Sequence, residues 1–215
     1  MNAGFIAMTA LLAVPAGAAL LLVLLSGYRL GARVNVGAAL SSLLAAVTLF
    51  GARPEANLYL RVDDFNLYLI VLNNLVSFTT SVFSASYIAH ELETGRLTPV
   101  YLRFYHAMYQ ALLFAMNLAL LANNIGLLWV AIELATLITV LMVGLYRTRA
   151  ALEAAWKYFI LGSLGIALAL FGTILVYLAA QPVMGEGLPA MAWDQLLARA
   201  SAFDPALLNL AFVFL

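Results

Sequence analysis

Residues 107–146 read AMYQALLFAMNLALLANNIGLLWVAIELATLITVLMVGLY. The stretch consists of two apolar runs that meet at Asn123 and Asn124, and the one residue in it that carries a charge at neutral pH is Glu133. Each run is close to the roughly 20 apolar residues that cross a bilayer as a helix. A carboxylate at bilayer depth costs about 3 kcal/mol on insertion scales, so we expect Glu133 to be kept for a function.

The composition is that of a membrane protein. Hydrophobic residues make up 66% of the chain, charged residues 9%, and the mean hydropathy is +1.03, whereas soluble domains are roughly 45–50% apolar and about 25% charged. The net charge of zero gives no basic surface for nucleic acid. With no cysteine and two histidines, we expect no cofactor, metal centre or redox group in this chain.

Apolar run length predicts an all-α polytopic membrane protein with six complete transmembrane helices and the start of a seventh. Asn73 and Asn74 in the third span are expected to form hydrogen bonds between helices. The last run, which follows Asp204, is about ten residues long and too short to cross, so we expect the chain to be part of a longer protein. The six predicted spans are 4–26, 33–51, 66–89, 104–122, 124–146 and 153–180.

Two connections are distinctive. Residues 51–64 are too polar to span the membrane, and the alternating LYLRV sequence within them predicts an outer β-hairpin or a short strand. The mixed segment 181–203 contains a predicted amphipathic helix at the membrane interface, within 188–203. Its apolar positions are Trp193, Leu196, Leu197 and Ala200, opposite Asp194 and Arg199.

The distribution of Lys and Arg predicts that the N-terminus lies outside, because inner loops carry the excess of basic residues. With that orientation seven basic residues fall on the inner side and three on the outer side. The inner residues are Arg29, Arg33, Arg96, Arg103, Arg147, Arg149 and Lys157, and the outer ones are Arg53, Arg61 and Arg199.

Glu133 lies about nine residues, or about 14 Å, from the outer end of its predicted helix. Trp129 and Thr136 share its helix face. Intramembrane acids usually mark ion pathways, so we predict that Glu133 belongs to a proton relay. The alternative is a structural carboxyl group that is neutral and hydrogen-bonded between helices.

Lys157 is the candidate partner of Glu133. In an antiparallel hairpin of helices 5 and 6, Glu133 lies level with Gly165, and Lys157 lies about 12 Å closer to the inside, within reach through one or two waters. Alternatively, Lys157 extends to the inner interface or pairs with Glu153 four residues earlier. Further candidate relay groups are Thr136, Glu153 and, beside the inner loop 90–99, His106.

Residues 123–180 read NNIGLLWVAIELATLITVLMVGLYRTRAALEAAWKYFILGSLGIALALFGTILVYLAA. They resemble the antiporter-like membrane subunits shared by respiratory complex I (subunits L, M and N), the Mrp cation/proton antiporters and the membrane-bound hydrogenases. The run LEAAWKYFI followed by ALFGTILVY resembles the hydrogenase-4 component F branch most, and complex I subunit N next. The resemblance is densest over residues 101–180.

The resemblance implies that the chain is the N-terminal portion of a fold of roughly 14 helices, which contains two inverted five-helix repeats. Residues 1–103 would hold helices 1–3 with the outer loop 51–64. Residues 104–215 would form an incomplete first repeat of helices 4–6, the interfacial segment 181–203 and the start of helix 7. The family's helix 7 lysine would lie just beyond Leu215.

The resemblance also implies a function. The family's helix 5 glutamate matches Glu133 and its helix 6 lysine matches Lys157, and in the family these groups move protons. The movement is driven by electron transfer in a peripheral redox arm, so the expected partners are that arm, other membrane subunits and the lipid bilayer. We expect a subunit of a hydrogenase-4 or NADH:quinone oxidoreductase type complex in the bacterial cytoplasmic membrane. The alternatives are an Mrp-type sodium/proton antiporter subunit and a non-conducting structural subunit.

Overall fold

The structure is a computed structural model that describes residues 2–25, 27–95 and 98–215. Within these residues, six helices are long and apolar enough to cross a membrane, which confirms the predicted all-α multi-pass fold. They are α1 (Ala3–Leu24), α2 (Tyr28–Thr48), α3 (Asp64–Glu93), α4 (Pro99–Leu121), α5 (Ile125–Val143) and α6 (Arg149–Met184). Two shorter helices follow, α7 (Trp193–Arg199) and α8 (Pro205–Phe214), and α8 is the beginning of the predicted seventh run.

Several helices extend beyond their predicted spans at the end that the sequence places inside. Helix α2 begins at Tyr28, α4 at Pro99 and α6 at Arg149, four or five residues before the predicted starts, and α3 continues to Glu93. Run length detects only the apolar part of a helix, whereas the backbone hydrogen bonds continue into the polar interface. The predicted inner loop after residue 89 is therefore shorter, and Arg96 within it lies outside the described residues.

The predicted outer β-hairpin is wrong. Residues 57–60 form a tight turn, in which the N–H of Asn57 donates to the carbonyl of Leu60 at 2.9 Å, and not a pair of strands. Leu60 forms an isolated antiparallel bridge with Ala122. The backbone N–H of Arg61 donates to the carbonyl of Leu121 at 2.8 Å, and that of Asn123 donates to the carbonyl of Tyr59 at 2.7 Å. The alternating sequence thus marks an extended segment whose partner is the connection between α4 and α5.

Helix α3 begins with a reciprocal cap. Asp63 Oδ1 accepts from the N–H groups of Phe65 and Asn66 at 3.0 and 2.7 Å, while Asn66 Oδ1 accepts from the N–H of Asp63 at 2.7 Å. Burial acts to raise the pKa of Asp63, but the N–H donors of Asn66 and Phe65 and the Arg61 guanidinium outweigh burial and hold the pKa below its usual 3.8.

We expect Asp63→Ala to lower the free energy of unfolding by about 0.5–2 kcal/mol at neutral pH, the usual cost of losing an N-cap. Because the pKa of Asp63 is lower in the folded state, the ionised carboxylate contributes to stability above pH about 4. This contribution is lost as the pH falls through the folded-state pKa. Thermal unfolding at pH about 7 and about 2 measures the difference. Asp64→Ala, at an exposed carboxylate paired with Arg53, is the control and should change little; an equal loss at both pH values for Asp63→Ala would contradict the account.

Asn123 joins three segments on the outer side. Its side chain is buried, and Nδ2 donates to the carbonyl of Asn57 at 2.7 Å and to Asp194 Oδ1 at 3.0 Å. Its backbone carbonyl accepts from the N–H of Trp193 at 2.6 Å. The adjacent Asn124 caps α5 by accepting from the N–H groups of Gly126 and Leu127. The tight connection between α4 and α5 is therefore the point at which the outer loop and α7 are attached.

We expect Asn123→Ala to lower the free energy of unfolding by about 1–3 kcal/mol, because the Asn57 carbonyl and the Asp194 carboxylate then lose their donor. Tyr59→Phe is the control, since the exposed Tyr59 contributes its backbone carbonyl to this site. Thermal unfolding in lipid or detergent compares the two variants. Equal stability of the two variants would show that the Asn123 side chain does not hold these segments.

The interfacial segment differs from its prediction in two ways. Helix α7 is seven residues long, with short 3-10 turns on both sides. Leu196 is buried against Ala179, Ala180 and Phe203, whereas Trp193 and Leu197 are exposed. Asp194 was predicted opposite the apolar positions, and its Oδ1 accepts from Asn123 Nδ2.

Helix α4 packs against α1, α2, α3 and α5. Asn117 on α4 ties two of these helices to it: its Oδ1 accepts from Asn73 and Asn74 of α3 at 3.0 and 2.8 Å, and its Nδ2 donates to the Leu11 carbonyl of α1 at 3.1 Å. The predicted hydrogen bonding of Asn73 and Asn74 between helices is confirmed. The division between residues 1–103 and 104–215 stays a prediction, because α4 packs on helices from both sides of it.

Candidate functional site

Helices α5 and α6 form an antiparallel hairpin whose register is set by two contacts. Trp129 Nε1 donates to the Ile166 carbonyl at 2.8 Å. The second contact is at Gly162 of α6, where a Cβ atom would lie 3.2 Å from Thr136 Cγ2 of α5. The two helices therefore approach closely where α6 has no side chain. Glu133 lies between Trp129 and Thr136 on α5, which places it at the level of residues 162–166.

Glu133 faces this interface. At about 100° per residue, Glu133 lies about 40° around α5 from Trp129 and about 60° from Thr136, on the same side of both, and these two residues contact α6. The side chain is half-buried, and its Oε2 is buried without a hydrogen-bond partner among the described residues. The hydroxyl of Ser163 on α6 is in the same condition. The hydroxyl of Thr136 donates to the carbonyl of Ile132 at 3.0 Å, and its relay role stays a prediction.

This arrangement suits proton exchange. A buried carboxylate oxygen without a partner is costly, and the cost is removed when the carboxyl binds a proton or a water molecule. Ser163 supplies a hydroxyl at the same depth that can donate to or accept from such a water. Within the described residues no group of three or more His, Asp or Glu side chains is placed to hold a metal ion.

Lys157 forms an ion pair with Glu153, with 2.5 Å between Nζ and Oε1. Both side chains are exposed, at 70% and 65% of their possible surface. Helix α6 faces α5 through Ala155, Gly162 and Ile166, and at about 100° per residue Lys157 lies about 200° around the helix from Ala155. The structure therefore does not bring Lys157 and Glu133 together, and it places Glu153 and Lys157 on the far face of α6.

His106 is not at the inner surface. It lies in α4 with 1% of its surface exposed, and its Cδ2 is 3.8 Å from where a Cβ of Gly31 in α2 would be. Helix α4 begins seven residues earlier than His106, at Pro99, so the histidine lies within the helix bundle. It faces α2, whereas Glu133 faces α6, and the two groups belong to separate sites.

Glu91 is a buried acid that the sequence did not reveal, because the charged run after residue 89 was assigned to a loop. Continuation of α3 to Glu93 buries Glu91 to 3% exposure, on the same face as Ser81, Ser84 and Ile88. Glu91 interacts with the hydroxyl of Tyr146, which lies 3.1 Å from the hydroxyl of Tyr87. The spacing of small and apolar residues before it, continued for one more turn, is the signal that would have found it.

Comparisons with known proteins confirm the resemblance. Residues 122–213 match the transmembrane family described as NADH:quinone oxidoreductase/Mrp antiporter. The chain is 54% identical over 196 residues to a hydrogenase-4 component F homolog of Methylacidiphilum infernorum. It is 30% identical over 142 residues to an NADH-quinone oxidoreductase subunit N of Thermodesulfovibrio yellowstonii.

A chain of the membrane-bound sulfane sulfur reductase, an archaeal respiratory membrane complex, has the same fold, with a TM-score of 0.78 at 20% identity over 96% of the present chain. The match to the hydrogenase-4 relative covers 91% of the present chain and 41% of that relative. The match to the subunit N relative covers 65% of the present chain and 29% of that relative. The structural match covers 42% of the sulfane sulfur reductase chain. The chain thus spans about two fifths or less of the length of these proteins.

Proposed function

Through residues 122–213 the chain belongs to the NADH:quinone oxidoreductase/Mrp antiporter transmembrane family, and from this premise we propose that it is part of a proton-translocating membrane subunit of a hydrogenase or quinone-oxidoreductase complex. Redox chemistry in partner subunits, including a peripheral arm, drives the transport, and this chain contributes the proton-carrying group. The subunit lies in the bacterial cytoplasmic membrane with its N-terminus outside.

The observation that carries this proposal is the position of Glu133. Its carboxyl is in the α5–α6 interface at bilayer depth, and a buried oxygen of it has no partner among the described residues. An intramembrane acid in this condition binds and releases protons with no protein hydrogen bond to break. In the proposed role Glu133 is the carrier, and Ser163 holds water beside it.

Lys157 and Glu153 take a different role from that first predicted. Their ion pair is on the face of α6 that points away from α5. We assign them to a second charged site, separate from Glu133.

The test is proton movement in inverted membrane vesicles that contain the full-length protein in its native complex, energised by the complex's own electron donor. We expect acidification of the vesicle interior that is unchanged when sodium is removed. Transport that requires sodium would instead favour an Mrp-type antiporter subunit. A complex that transfers electrons without moving either ion would leave only a structural role.

A further inference from the structure

The inner half of the bundle contains a buried polar contact between α2 and α4. Gln110 Nε2 on α4 donates to the backbone carbonyl and to Oδ1 of Asn35 on α2, at 2.9 and 2.8 Å. His106, one turn before Gln110 and on the same face of α4, packs beside Gly31 of α2. His106, Gln110 and Asn35 are at most 1% exposed.

These three side chains have four polar atoms without a hydrogen-bond partner among the described residues. They are both imidazole nitrogens of His106, Nδ2 of Asn35 and Oε1 of Gln110. Buried polar groups in native proteins are almost always paired with protein or ordered water, so four such atoms on one helix interface require a partner.

A second cluster of buried amides in this bundle is paired. Asn117, three turns further along α4 toward the predicted outer side, accepts from Asn73 and Asn74 and donates to the Leu11 carbonyl. Asn117 contacts α1 and α3, so this paired cluster is separate from the α2–α4 contact.

We propose that α2 and α4 enclose a small cluster of bound water that is held by His106, Gln110 and Asn35. The unpaired atoms include both kinds of group that water needs: Asn35 Nδ2 and one imidazole N–H donate, while Gln110 Oε1 and the other imidazole nitrogen accept. A buried water requires two to four polar partners, and this set supplies them. A Cβ at Gly31 would lie 3.8 Å from the imidazole Cδ2, so the ring packs beside a backbone position that has no side chain.

This site is separate from Glu133, which lies on the far side of α4 at the α5–α6 interface. His106 is therefore a ligand of internal water rather than a proton acceptor at the inner surface. The assignment does not rest on the proposed function.

Replacement of His106 by leucine tests the proposal through the direction of the stability change in the full-length protein in lipid. If water satisfies these atoms, His106→Leu removes hydrogen bonds and lowers the Tm by about 2–4 °C. If the interface is dry, the same replacement removes two unpaired polar atoms and the Tm stays the same or rises, which would overturn the proposal. His90→Leu, the same change at an exposed histidine, is the matched control and should leave the Tm unchanged.

A density map of the full-length protein that resolves ordered water gives the second measurement, which does not depend on a variant that folds. We expect at least one water within about 3.2 Å of an imidazole nitrogen of His106 and of Gln110 Oε1 or Asn35 Nδ2. An empty interface in such a map would contradict the proposal.

Discussion

Glu133→Gln is expected to abolish proton translocation while the protein still folds and inserts. Glutamine has nearly the shape of the carboxyl group but neither binds nor releases a proton at neutral pH. Because Oε2 of Glu133 has no hydrogen-bond partner among the described residues, the substitution removes no protein contact there, and the stability change should be small. Proton translocation in vesicles should fall at least about tenfold, the consequence of adding 1.4 kcal/mol or more to the barrier.

The matched control is Glu186→Gln, the same substitution at an exposed carboxylate whose Oε1 accepts from Gln181. It should leave proton translocation unchanged. Glu133→Asp keeps the titratable group but retracts it by one methylene, so an intermediate rate is expected. Normal translocation by Glu133→Gln would remove Glu133 from the carrier role, and failure of this variant to assemble would favour the structural alternative.

The second large effect is expected from Gly162→Leu. A Cβ at this position already lies 3.2 Å from Thr136 Cγ2, so a leucine side chain forces α5 and α6 apart next to Glu133. Overpacking of this kind costs about 1–3 kcal/mol. Displacement of a reacting group by about 1 Å can lower a rate by 100-fold, so we expect proton translocation to fall at least about tenfold.

Gly165→Leu is the control, because a Cβ at Gly165 meets no atom of the described residues within 4 Å. It makes the same chemical change in the same helix, three residues away, and should leave both stability and translocation unchanged. The Tm and the vesicle proton signal are measured for both variants. Equal effects of the two substitutions would show that the close approach of α5 and α6 is not what positions Glu133.

The membrane fold could be predicted from the sequence because run length against bilayer thickness is a strong constraint. The depth of Glu133 and the face it shares with Trp129 and Thr136 also followed from helical rise and period. The helix ends could not be predicted from hydropathy, since residues such as Arg149 are charged and still helical. The same limitation concealed Glu91.

Contacts between distant segments were beyond the sequence. The alternation around Leu60 indicated an extended segment correctly, but its partner at Ala122 is 62 residues away. Asn123 marked the junction of two apolar runs, and its bonds to Asn57 and Asp194 depend on how three segments meet. Lys157 was placed by depth alone; its rotation around α6 could be judged only once Gly162 and Ile166 showed which face meets α5.

Infrared difference spectroscopy of the Glu133 carboxyl group, on the full-length protein in lipid, tests most directly whether this acid exchanges its proton with water. The account predicts a protonated-carboxyl C=O band that appears as pH is lowered, shifts in D₂O while the protein stays folded, and is missing from Glu133→Gln. A Glu133 band that neither titrates nor shifts in D₂O under those conditions would contradict it.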